Sequence, residues 1–453
     1  MNWLHEALSE TADQPGAETL AGFQASIDPQ WIEQALQATG TATLRRRRLP
    51  AEQVIWLVLG MALMRDRSIT EVVSKLDLVL PGPGGDPMLA PSSVAQARQR
   101  LGAEPLKWLF ERCSRQWAID SAARWPWRGL SVFATDGTTL RVADSDDNRA
   151  HFGLAKGPRG DSGYPLVRIA AVVAVRSHLL AAAAFGPYAN SEHELADQCL
   201  PTIPDDSLTV VDKYFLAAKY LIGIERGGHN RHWLVRAKSN TKWRVLSENG
   251  PGDWLVELQV SDAARAKDAT LPKTFRARAL AYQHPDSKAQ QTLLTSLLHA
   301  NAYPAQELLE LYHERWEIEL SYDEIKTHLL EREETIRSRT VGGVQQELWA
   351  ILLAYNLVRL EMQRIAEQAH VQPTRISFVM ATRYIRDEWL WCAGASPGSI
   401  PLKLRKMRQK VAAFVLPPRR SKRRFPRAVK LKMSNYAKKR RTSPKRQNSE
   451  DGK

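Results

Sequence analysis

Residues 131–142 read Ser-Val-Phe-Ala-Thr-Asp-Gly-Thr-Thr-Leu-Arg-Val. The first five predict a strand that ends at Asp136-Gly137, and the alternating residues 139–142 predict more extended chain after it. Two further apolar runs follow at 165–175 and 178–185. Strands in such close succession predict an antiparallel meander.

A later strand and its neighbouring helices decide the fold class. Residues 208–211 are an apolar, β-branched run that stops at Asp212, between helical patterns at 192–200 and 215–226. The predicted elements begin with strands, continue with helices and then return to a strand. This order indicates an α/β protein with a mixed sheet. Short apolar runs with few helix signals then predict a β-rich insertion at about 232–300; they span 232–236, 254–260 and 292–297.

Helical patterns flank this region on both sides. Residues 1–121 are expected to form a separate N-terminal helical domain, in which Ser68 and Glu71 have the spacing of a capping box. Helical periodicity returns at 304–330 and 345–367. We therefore divide the rest of the chain into a domain at 122–370, a helical extension at 371–400 and a basic, disordered tail at 401–453.

The positive charge of the chain is concentrated at its C-terminal end. The 453 residues include 64 Lys and Arg against 49 Asp and Glu, a net charge of +15. Residues 401–453 hold 20 basic and 2 acidic side chains, so the remainder is nearly neutral. A polycationic tail binds polyanions through counterion release, which favours nucleic acid as partner, with an anionic membrane surface as the alternative.

Composition argues against several classes of protein. A hydrophobic content of 43% excludes a wholly disordered or collagen-like chain. Three scattered cysteines, Cys113, Cys199 and Cys392, do not have the spacing of a disulfide framework or a zinc finger. The longest apolar run, 54–64, has 11 residues, well short of the roughly 20 that span a bilayer. With no signal-peptide pattern at the N-terminus, we expect a cytoplasmic protein without a membrane partner.

Two basic segments of the N-terminal region are candidates for DNA contact. Arg45, Arg46, Arg47 and Arg48 precede the apolar helix at 51–64 and are either a solvated loop or a phosphate-contacting one. The predicted helix at 92–100 carries Arg98 and Arg100. It is either a DNA-reading helix or a solvated face, since the loop before it is longer than that of a tight helix-turn-helix.

Asp136 and Asp212 are the candidate catalytic acids of the strands. Each is the polar residue at the end of a predicted buried strand. Side chains at the rim of an α/β sheet are held by a rigid scaffold and still reach solvent, which is why ligands bind there. Many strands end in Asp without any such role, so neither residue alone predicts a site.

A third acid comes from the segment 311–326, Leu-Tyr-His-Glu-Arg-Trp-Glu-Ile-Glu-Leu-Ser-Tyr-Asp-Glu-Ile-Lys. Taken as one helix, it places Tyr312, Arg315, Glu319 and Lys326 on a single stripe, roughly 21 Å long at 1.5 Å per residue. A surface ladder of ion pairs is the alternative. Because the other acids fall away from the stripe and leave its basic residues incompletely neutralised, we favour a phosphate-binding face with one metal-binding carboxylate.

Asp136, Asp212 and Glu319 together have the chemistry of a divalent-metal site. Carboxylate oxygens suit Mg²⁺ or Mn²⁺. Two such ions, about 3.5–4 Å apart, can activate a water or a 3′-hydroxyl and stabilise the leaving oxygen of a phosphoryl transfer. The sequence therefore predicts a site that binds two ions and acts on nucleic acid.

The same residues resemble a known family. The spacing Y-x2-R-x3-E-x6-K over 312–326 is similar to the Y-R-E-K signature of DDE transposases of the insertion sequence four (IS-four) family. Residues 135–140, Thr-Asp-Gly-Thr-Thr-Leu, and 211–215, Val-Asp-Lys-Tyr-Phe, resemble the regions around its two catalytic aspartates. Residues 27–101 resemble the N-terminal domain found in many members.

The resemblance implies a ribonuclease-H-like catalytic core within 122–370, with a β-strand insertion between the second aspartate and the glutamate. Asp136, Asp212 and Glu319 would be the metal triad. Tyr312, Arg315 and Lys326 would contact phosphates at the transposon end.

Some members also place a tryptophan in the insertion, where it stacks on a flipped base. Trp243, Trp254, Tyr282 and Tyr303 are candidates for that role, although packing in the core is the simpler explanation of each. The use of a hairpin intermediate is therefore left open.

The functional prediction is a DNA transposase that binds the terminal inverted repeats of its own element. It would nick DNA by metal-assisted hydrolysis and join the freed 3′-hydroxyl to target DNA, in a homodimeric complex of two ends. The alternatives are a catalytically silent DNA-binding protein derived from such an enzyme, and a ribonuclease-H-like nuclease without strand transfer.

Overall fold

Strand β1 (Ser131–Val142) is central to the first half of the sheet. It pairs antiparallel with β2 (Leu166–Ala174), which pairs in turn with β3 (Leu180–Pro187), so the predicted meander is confirmed. On its other side β1 runs parallel to β4 (Ser207–Val211), and β4 runs parallel to β5 (Arg231–Arg236).

The computed structural model describes residues 27–42, 49–76, 90–156, 160–283, 290–330, 335–392 and 400–417.

The predicted insertion extends this sheet on the far side of β5. The strand order is β3-β2-β1-β4-β5-β9-β8-β7-β6, with the short β10 (Thr335–Ile336) beside β1. Residues 232–236, which we expected in the insertion, belong instead to core strand β5. The insertion strands are all antiparallel to their neighbours: β6 (Trp243–Gly250), β7 (Asp253–Gln259), β8 (Thr274–Gln283) and β9 (Gln290–Thr295). A mixed sheet with a five-stranded core of this order is ribonuclease-H-like, as predicted.

Strand β1 does not end at Asp136-Gly137, contrary to the prediction. Its pairing with β2 runs without interruption from Phe133 to Arg141, so the backbone of Asp136 and Gly137 stays extended. The parallel neighbour β4 does end there, because Asp212 leads into a 3₁₀ turn at Lys213–Phe215. Asp136 therefore lies in the middle of its own strand but at the end of the strand beside it.

Helices cover the sheet and fill the connections between strands. In the catalytic region they are α6 (Asp146–Phe152), α7 (Glu192–Cys199), α8 (Ala218–Arg226), α9 (Asp262–Lys267), α10 (Ala305–His313), α11 (Trp316–Asp323) and α12 (Val341–Gln368). A π-helical segment (Glu324–Leu329) follows α11 directly. Helix α12 is buried along most of its length and is the main support of the core.

The N-terminal helices share one apolar core with the rest of the protein. They are α1 (Pro29–Ala38), α2 (Ala51–Leu63), α3 (Ile69–Lys75), α4 (Pro91–Leu101) and α5 (Glu104–Arg124). Helices α2 and α5 pack on α12, and α5 also contacts β3. The predicted capping box of α3 is present, with Ser68 and Glu71 bonded reciprocally. These helices are therefore continuous with the catalytic core in packing, although they precede it in sequence.

The basic C-terminal region begins with a helix, which corrects the prediction of disorder from residue 401. Helices α13 (Phe378–Cys392) and α14 (Ile400–Ala412) pack on each other and on α12. Leu404, Met407 and Val411 of α14 recur at helical spacing and are buried, whereas Arg405, Lys406 and Lys410 between them are exposed. Arg408 is buried and bonds Glu361 of α12. The tail beyond residue 417 lies outside the described residues.

Within the described ranges, no helix combines the length and apolar character that a membrane span requires.

Candidate active site

The two aspartates lie side by side on neighbouring parallel strands. The last paired residues of β1 and β4 are Thr135 and Val211, and Asp136 and Asp212 follow them directly. In parallel strands about 4.8 Å apart, residues at equivalent positions point to the same face. The structure therefore brings these two acids to one point, where β4 ends and β1 continues.

Asp136 is held close to other acids without an ion-pair partner of its own in the described structure. Its Oδ1 accepts a hydrogen bond of 2.8 Å from the Gly137 amide. Burial raises the pKa of Asp136 to about 6, and Glu192 and Glu319 act in the same direction, while the Gly137 amide and Arg315 oppose them. A buried carboxyl with a raised pKa beside further acids is a group that a bound cation would stabilise.

Gly137 lies directly against the side chain of Glu192 in helix α7. A Cβ atom on residue 137 would lie only 2.6 Å from the carboxyl carbon of Glu192, the first residue of α7. Glu192 also lies 3.3 Å from Arg168 of β2. A side chain at residue 137 would therefore displace the Glu192 side chain, which is one of the acids that raise the pKa of Asp136.

Helix α11 carries Glu319 to the same place. The hydroxyl of Tyr322 donates a 2.7 Å hydrogen bond to the backbone carbonyl of Asp136, which fixes α11 against β1. Glu319 lies three residues earlier, on the same side of the helix as Tyr322. The charge of Glu319 acts on Asp136, which places the third acid close to the first.

Arg315 connects the acids electrostatically. Its Nη1 donates to Oε1 of Glu319 at 2.7 Å. The pKa of Arg315 is raised although its burial alone would lower it, because Glu319, Tyr312 and Asp212 all favour the charged form. One guanidinium is therefore close to all three candidate metal ligands. The prediction that the basic residues of the stripe are incompletely neutralised is wrong for Arg315, because Glu319 neutralises it.

The Tyr312–Lys326 segment is not one continuous helix, which corrects the predicted stripe. Helix α10 ends at His313, α11 begins at Trp316, and the chain turns π-helical from Glu324. The break coincides with a two-pronged ion pair, in which Arg176 bonds both oxygens of Glu314 at 2.8 and 2.9 Å. The predicted single stripe of roughly 21 Å is therefore replaced by three short segments.

The other two members of the signature lie on either side of this region. Tyr312 is buried in α10, and burial raises its pKa to about 12; Arg315 lowers it, Asp212 raises it and Arg236 at the end of β5 lowers it. Lys326 is half-buried in the π-helical segment and lines a small apolar cavity with Thr138 and Leu140 of β1. All four signature residues thus surround the part of β1 that holds Asp136.

A buried polar network behind α11 was missed by the sequence analysis. His178, in the turn between β2 and β3, contacts Glu317 at 2.8 Å and Glu324 at 3.3 Å. Arg359 of α12 also bonds Glu324, and the hydroxyl of Tyr355 donates to it at 2.7 Å. These contacts join α11 to the sheet and to α12. The only sequence signal was a set of acids that faced away from Glu319.

Among the four aromatic candidates in and after the insertion, Tyr282 has the most direct link to the site. Burial raises its pKa, and Arg236 and Arg315 lower it, which places its ring near both. Tyr303 instead stacks on Trp127 at 5.8 Å, and Trp243 and Trp254 pack against the core. None of these contacts tests a role in base flipping.

The donor set suits hard divalent cations, but the acids are not drawn into a formed cage. No group of three or more His, Cys, Asp or Glu side chains has metal-binding geometry in the described part of the chain. Glu319 is engaged by Arg315, whereas Asp136 is buried and has no ion-pair partner among the described residues. The chemistry of three carboxylates fits Mg²⁺ or Mn²⁺, and Glu319 would have to exchange Arg315 for the ion.

The predicted basic loop, Arg45 to Arg48, lies outside the described residues, so its contacts stay a prediction.

Comparison with known proteins agrees with this architecture. A family profile described as "Insertion element 4 transposase N-terminal" matches residues 17–111, and one described as "Transposase DDE domain" matches residues 127–357. "Transposase InsG for insertion sequence element IS4" of Escherichia coli (strain K12) is 38% identical over 427 residues, covering 93% of this chain and 94% of that protein. "Putative transposase InsZ" of the same organism is 38% identical over 252 residues, covering 55% and 78%.

Similarity to a solved structure is weaker. A "piggyBac transposase synaptic complex with hairpin DNA" aligns over 89% of this chain and 86% of that one, with a TM-score of 0.43 and 10% identity.

A ribonuclease-H-like sheet and a matched DDE domain define the chain as a DNA transposase, an enzyme that cleaves DNA and transfers strands. It belongs to the IS4 family of DDE transposases, as the match to InsG over nearly its full length shows. Nothing in the comparisons favours the two alternatives, a silent DNA-binding protein or a nuclease without strand transfer.

Proposed function

We propose that Asp136, Asp212 and Glu319 are the catalytic acids of this transposase and hold its divalent ions. The observation that carries the proposal is the Tyr322 hydrogen bond to Asp136, because it fixes the Glu319 helix beside the point where the two aspartates meet. Mg²⁺ or Mn²⁺, bound as two ions, would supply Lewis-acid activation of the attacking oxygen and stabilise the leaving one.

The remaining signature residues are proposed to position DNA. Arg315 is half-buried within the site, so its guanidinium is placed to bind a backbone phosphate once Glu319 binds an ion instead. Tyr312 and Lys326 would contact phosphates of the same transposon end. Arg45 to Arg48 and the basic tail would add contacts to the DNA backbone that depend on charge rather than sequence.

The proposed substrates are the terminal inverted repeats of the protein's own element and the target DNA. Two ends must be cut together, so we propose a homodimer in the complex that joins them. Light scattering on protein bound to paired ends would give two copies per complex, and a mass of one copy would exclude the dimer. The cytoplasm is the proposed compartment because the substrate is DNA, which cell fractionation would test.

The Glu319→Gln variant tests the catalytic assignment. The amide keeps the size of the side chain but cannot bind a divalent ion as a carboxylate does, so we expect normal DNA binding and at least a hundredfold loss of strand cleavage, on the order of removing one major electrostatic group from a site. The measurement is cleavage of a labelled end duplex in Mg²⁺, beside a gel-shift assay. Glu310→Gln, an exposed change on α10, is the matched control. Normal cleavage by Glu319→Gln would remove Glu319 from the site.

A further inference from the structure

A cavity of about 270 Å³ lies between helix α4 and the beginning of α12. Its walls come from two parts of the sequence that only the fold brings together. Residues 95–102 supply one wall and residues 338–346 the other. The polar residues that line it include Arg98, Gln99, Ser338, Arg339, Thr340 and Gln346.

The guanidinium of Arg98 is held in place at one end only. Its Nε donates to Oε1 of Gln346 at 3.0 Å. Gln346 in turn donates to the carbonyls of Arg98 and Gly102 at 2.9 and 2.7 Å, so its own orientation is fixed. The two terminal amino groups of Arg98 have no hydrogen-bond acceptor among the residues that the structure describes. An anchored guanidinium with two unused amino groups is suited to a planar or tetrahedral anion.

No acidic side chain of the described chain lines this cavity. Two acids lie beside its walls, and both have hydrogen-bond partners. Glu347 is bonded by Arg65 at 2.6 Å and by the amides of Arg337 and Ser338 at 3.1 and 3.0 Å, and Asp147 accepts from the Val341 amide at 2.8 Å. The pKa of Arg98 is lowered, chiefly by burial and further by Arg337, against the opposing effect of Glu347. The cavity is therefore a positively charged space without its own counter-ion in the described structure.

Arg339 is the second guanidinium of the cavity. It is exposed, and its side chain makes no hydrogen bond or ion pair within the described ranges; only its backbone carbonyl is bonded, by Ser145. Arg98 and Arg339 line the same cavity, whose volume is several times the roughly 30 Å³ of one water. A guanidinium matches the geometry of a phosphate group, so two of them in one cavity suit such an anion.

We propose that this cavity binds a backbone phosphate of DNA between Arg98 and Arg339. The inference rests on the proposed function, since DNA is the polyanion that this enzyme must hold. A phosphate in this position would contact α4 of the N-terminal region and the segment leading into α12 of the catalytic region at once. DNA bound there would therefore be positioned relative to both.

The test compares two arginine variants that remove the same charge. Arg339→Ala removes a cavity residue, and Arg115→Ala removes an exposed arginine of α5 outside the cavity. Neither side chain has a described partner, so both variants should fold and melt like the wild type. DNA affinity is measured by fluorescence anisotropy on a labelled end duplex between 50 and 200 mM salt.

Loss of one phosphate contact should reduce the slope of log affinity against log salt by about 1 in Arg339→Ala. Arg115→Ala should keep the wild-type slope, and Arg98→Gln combined with Arg339→Ala should lose no more than about one further unit. Equal slopes in Arg339→Ala and Arg115→Ala would overturn the proposal. Inorganic phosphate is the second probe: if it binds through Arg339 while DNA affinity is unchanged in Arg339→Ala, the cavity takes a free anion and the DNA assignment is wrong.

Failure of the catalytic assignment would look different. If Glu319→Gln cuts DNA normally while Arg339→Ala still has a reduced salt slope, the cavity proposal stands and the catalytic assignment of Glu319 is wrong.

Discussion

Arg315 is bonded to the acid that is proposed to bind metal. Its Nη1 lies 2.7 Å from Oε1 of Glu319. Asp212 raises the pKa of Arg315, and Arg315 in turn lowers the pKa of Asp136. A DNA phosphate would compete with Glu319 for the same donors, because both are anions that form charge-assisted hydrogen bonds. Phosphate binding at Arg315 would then leave Glu319 available to a divalent ion.

Replacing Arg315 with Ala should weaken binding of the transposon end and reduce its salt slope by about 1, since one phosphate contact is lost. Arg244→Ala is the control, because it also removes an arginine and one ion pair, the exposed contact with Glu257 at 2.9 Å. The measurement is end-DNA affinity as a function of salt. An Arg315→Ala slope equal to that of wild type would contradict the phosphate role.

Individual site residues were predicted to different degrees. The sequence placed Asp136 and Asp212 at strand positions because apolar β-branched runs precede both, and Glu319 followed from its spacing to Arg315. Glu192 and Tyr322 were not predicted as neighbours of Asp136. Their contacts depend on how α7 and α11 dock on β1, which is a tertiary property that no local pattern encodes.

At the scale of the element, α11 is held from behind by buried charges. Glu324, at the start of the π-helical segment, is bonded by Arg359 and by the hydroxyl of Tyr355. Although burial opposes its ionisation, Arg359 and His178 outweigh burial, and the pKa of Glu324 is lowered to about 2. The carboxylate is therefore charged and bonded in the folded protein at neutral pH.

This network makes stability depend on acidic pH. A carboxyl with a pKa near 2 in the folded state and about 4.5 in the unfolded state stabilises the fold above pH 4.5, and this contribution is lost as the pH falls towards 2. Glu324→Gln leaves Arg359 buried without its charged partner, so the free energy of unfolding at pH 7 should fall by roughly 3–5 kcal/mol. The variant should therefore melt at a lower temperature than the wild type at that pH. The difference from wild type should shrink between pH 4.5 and pH 2.

Melting temperatures across this range, followed by circular dichroism, measure the effect. Glu310→Gln, an exposed change on α10, should not alter the pH dependence. A Glu324→Gln protein that melts like wild type at pH 7 would show that the network does not stabilise α11.

The regular elements were predictable where one periodicity dominates. Strands β2 and β3 and the capping box of α3 followed from local patterns. The break between α10 and α11 did not, because Arg176, far away in sequence, binds Glu314 at that point. Residues 232–236 were assigned to the insertion and not to the core for a similar reason. The parallel pairing of β5 with β4 is a long-range contact that no local pattern reveals.

At the scale of the whole molecule, one core joins the N-terminal helices, the sheet and α12, and the chain stays anchored to it up to Leu416. The Leu416 amide donates to the Arg375 carbonyl at 2.7 Å, and Val415 pairs with Ile376. Residues 418–453 follow, with 15 basic and 2 acidic side chains. Composition predicted disorder for the entire tail because its charge dominates, and missed α14 because only Leu404, Met407 and Val411 reveal its buried face.

Removing residues 418–453 should lower DNA affinity and its salt dependence without changing the melting temperature. The deletion takes away much of the positive charge but none of the contacts described in the core. Ending the chain at residue 399 is the contrasting variant, because it also removes α14 and the buried bond between Arg408 and Glu361. That shorter protein should melt at a lower temperature. An unchanged salt slope after the 418–453 deletion would exclude the tail from DNA binding.

The central claim is that Asp136, Asp212 and Glu319 bind the same divalent ions. Fe²⁺ placed in the Mg²⁺ site, with ascorbate and hydrogen peroxide, generates radicals that cut the polypeptide beside the metal. We expect fragments ending near all three residues together, suppressed by excess Mg²⁺ and absent from Asp136→Asn. Cutting near only one of the three, or cutting that Mg²⁺ does not suppress, would contradict the account.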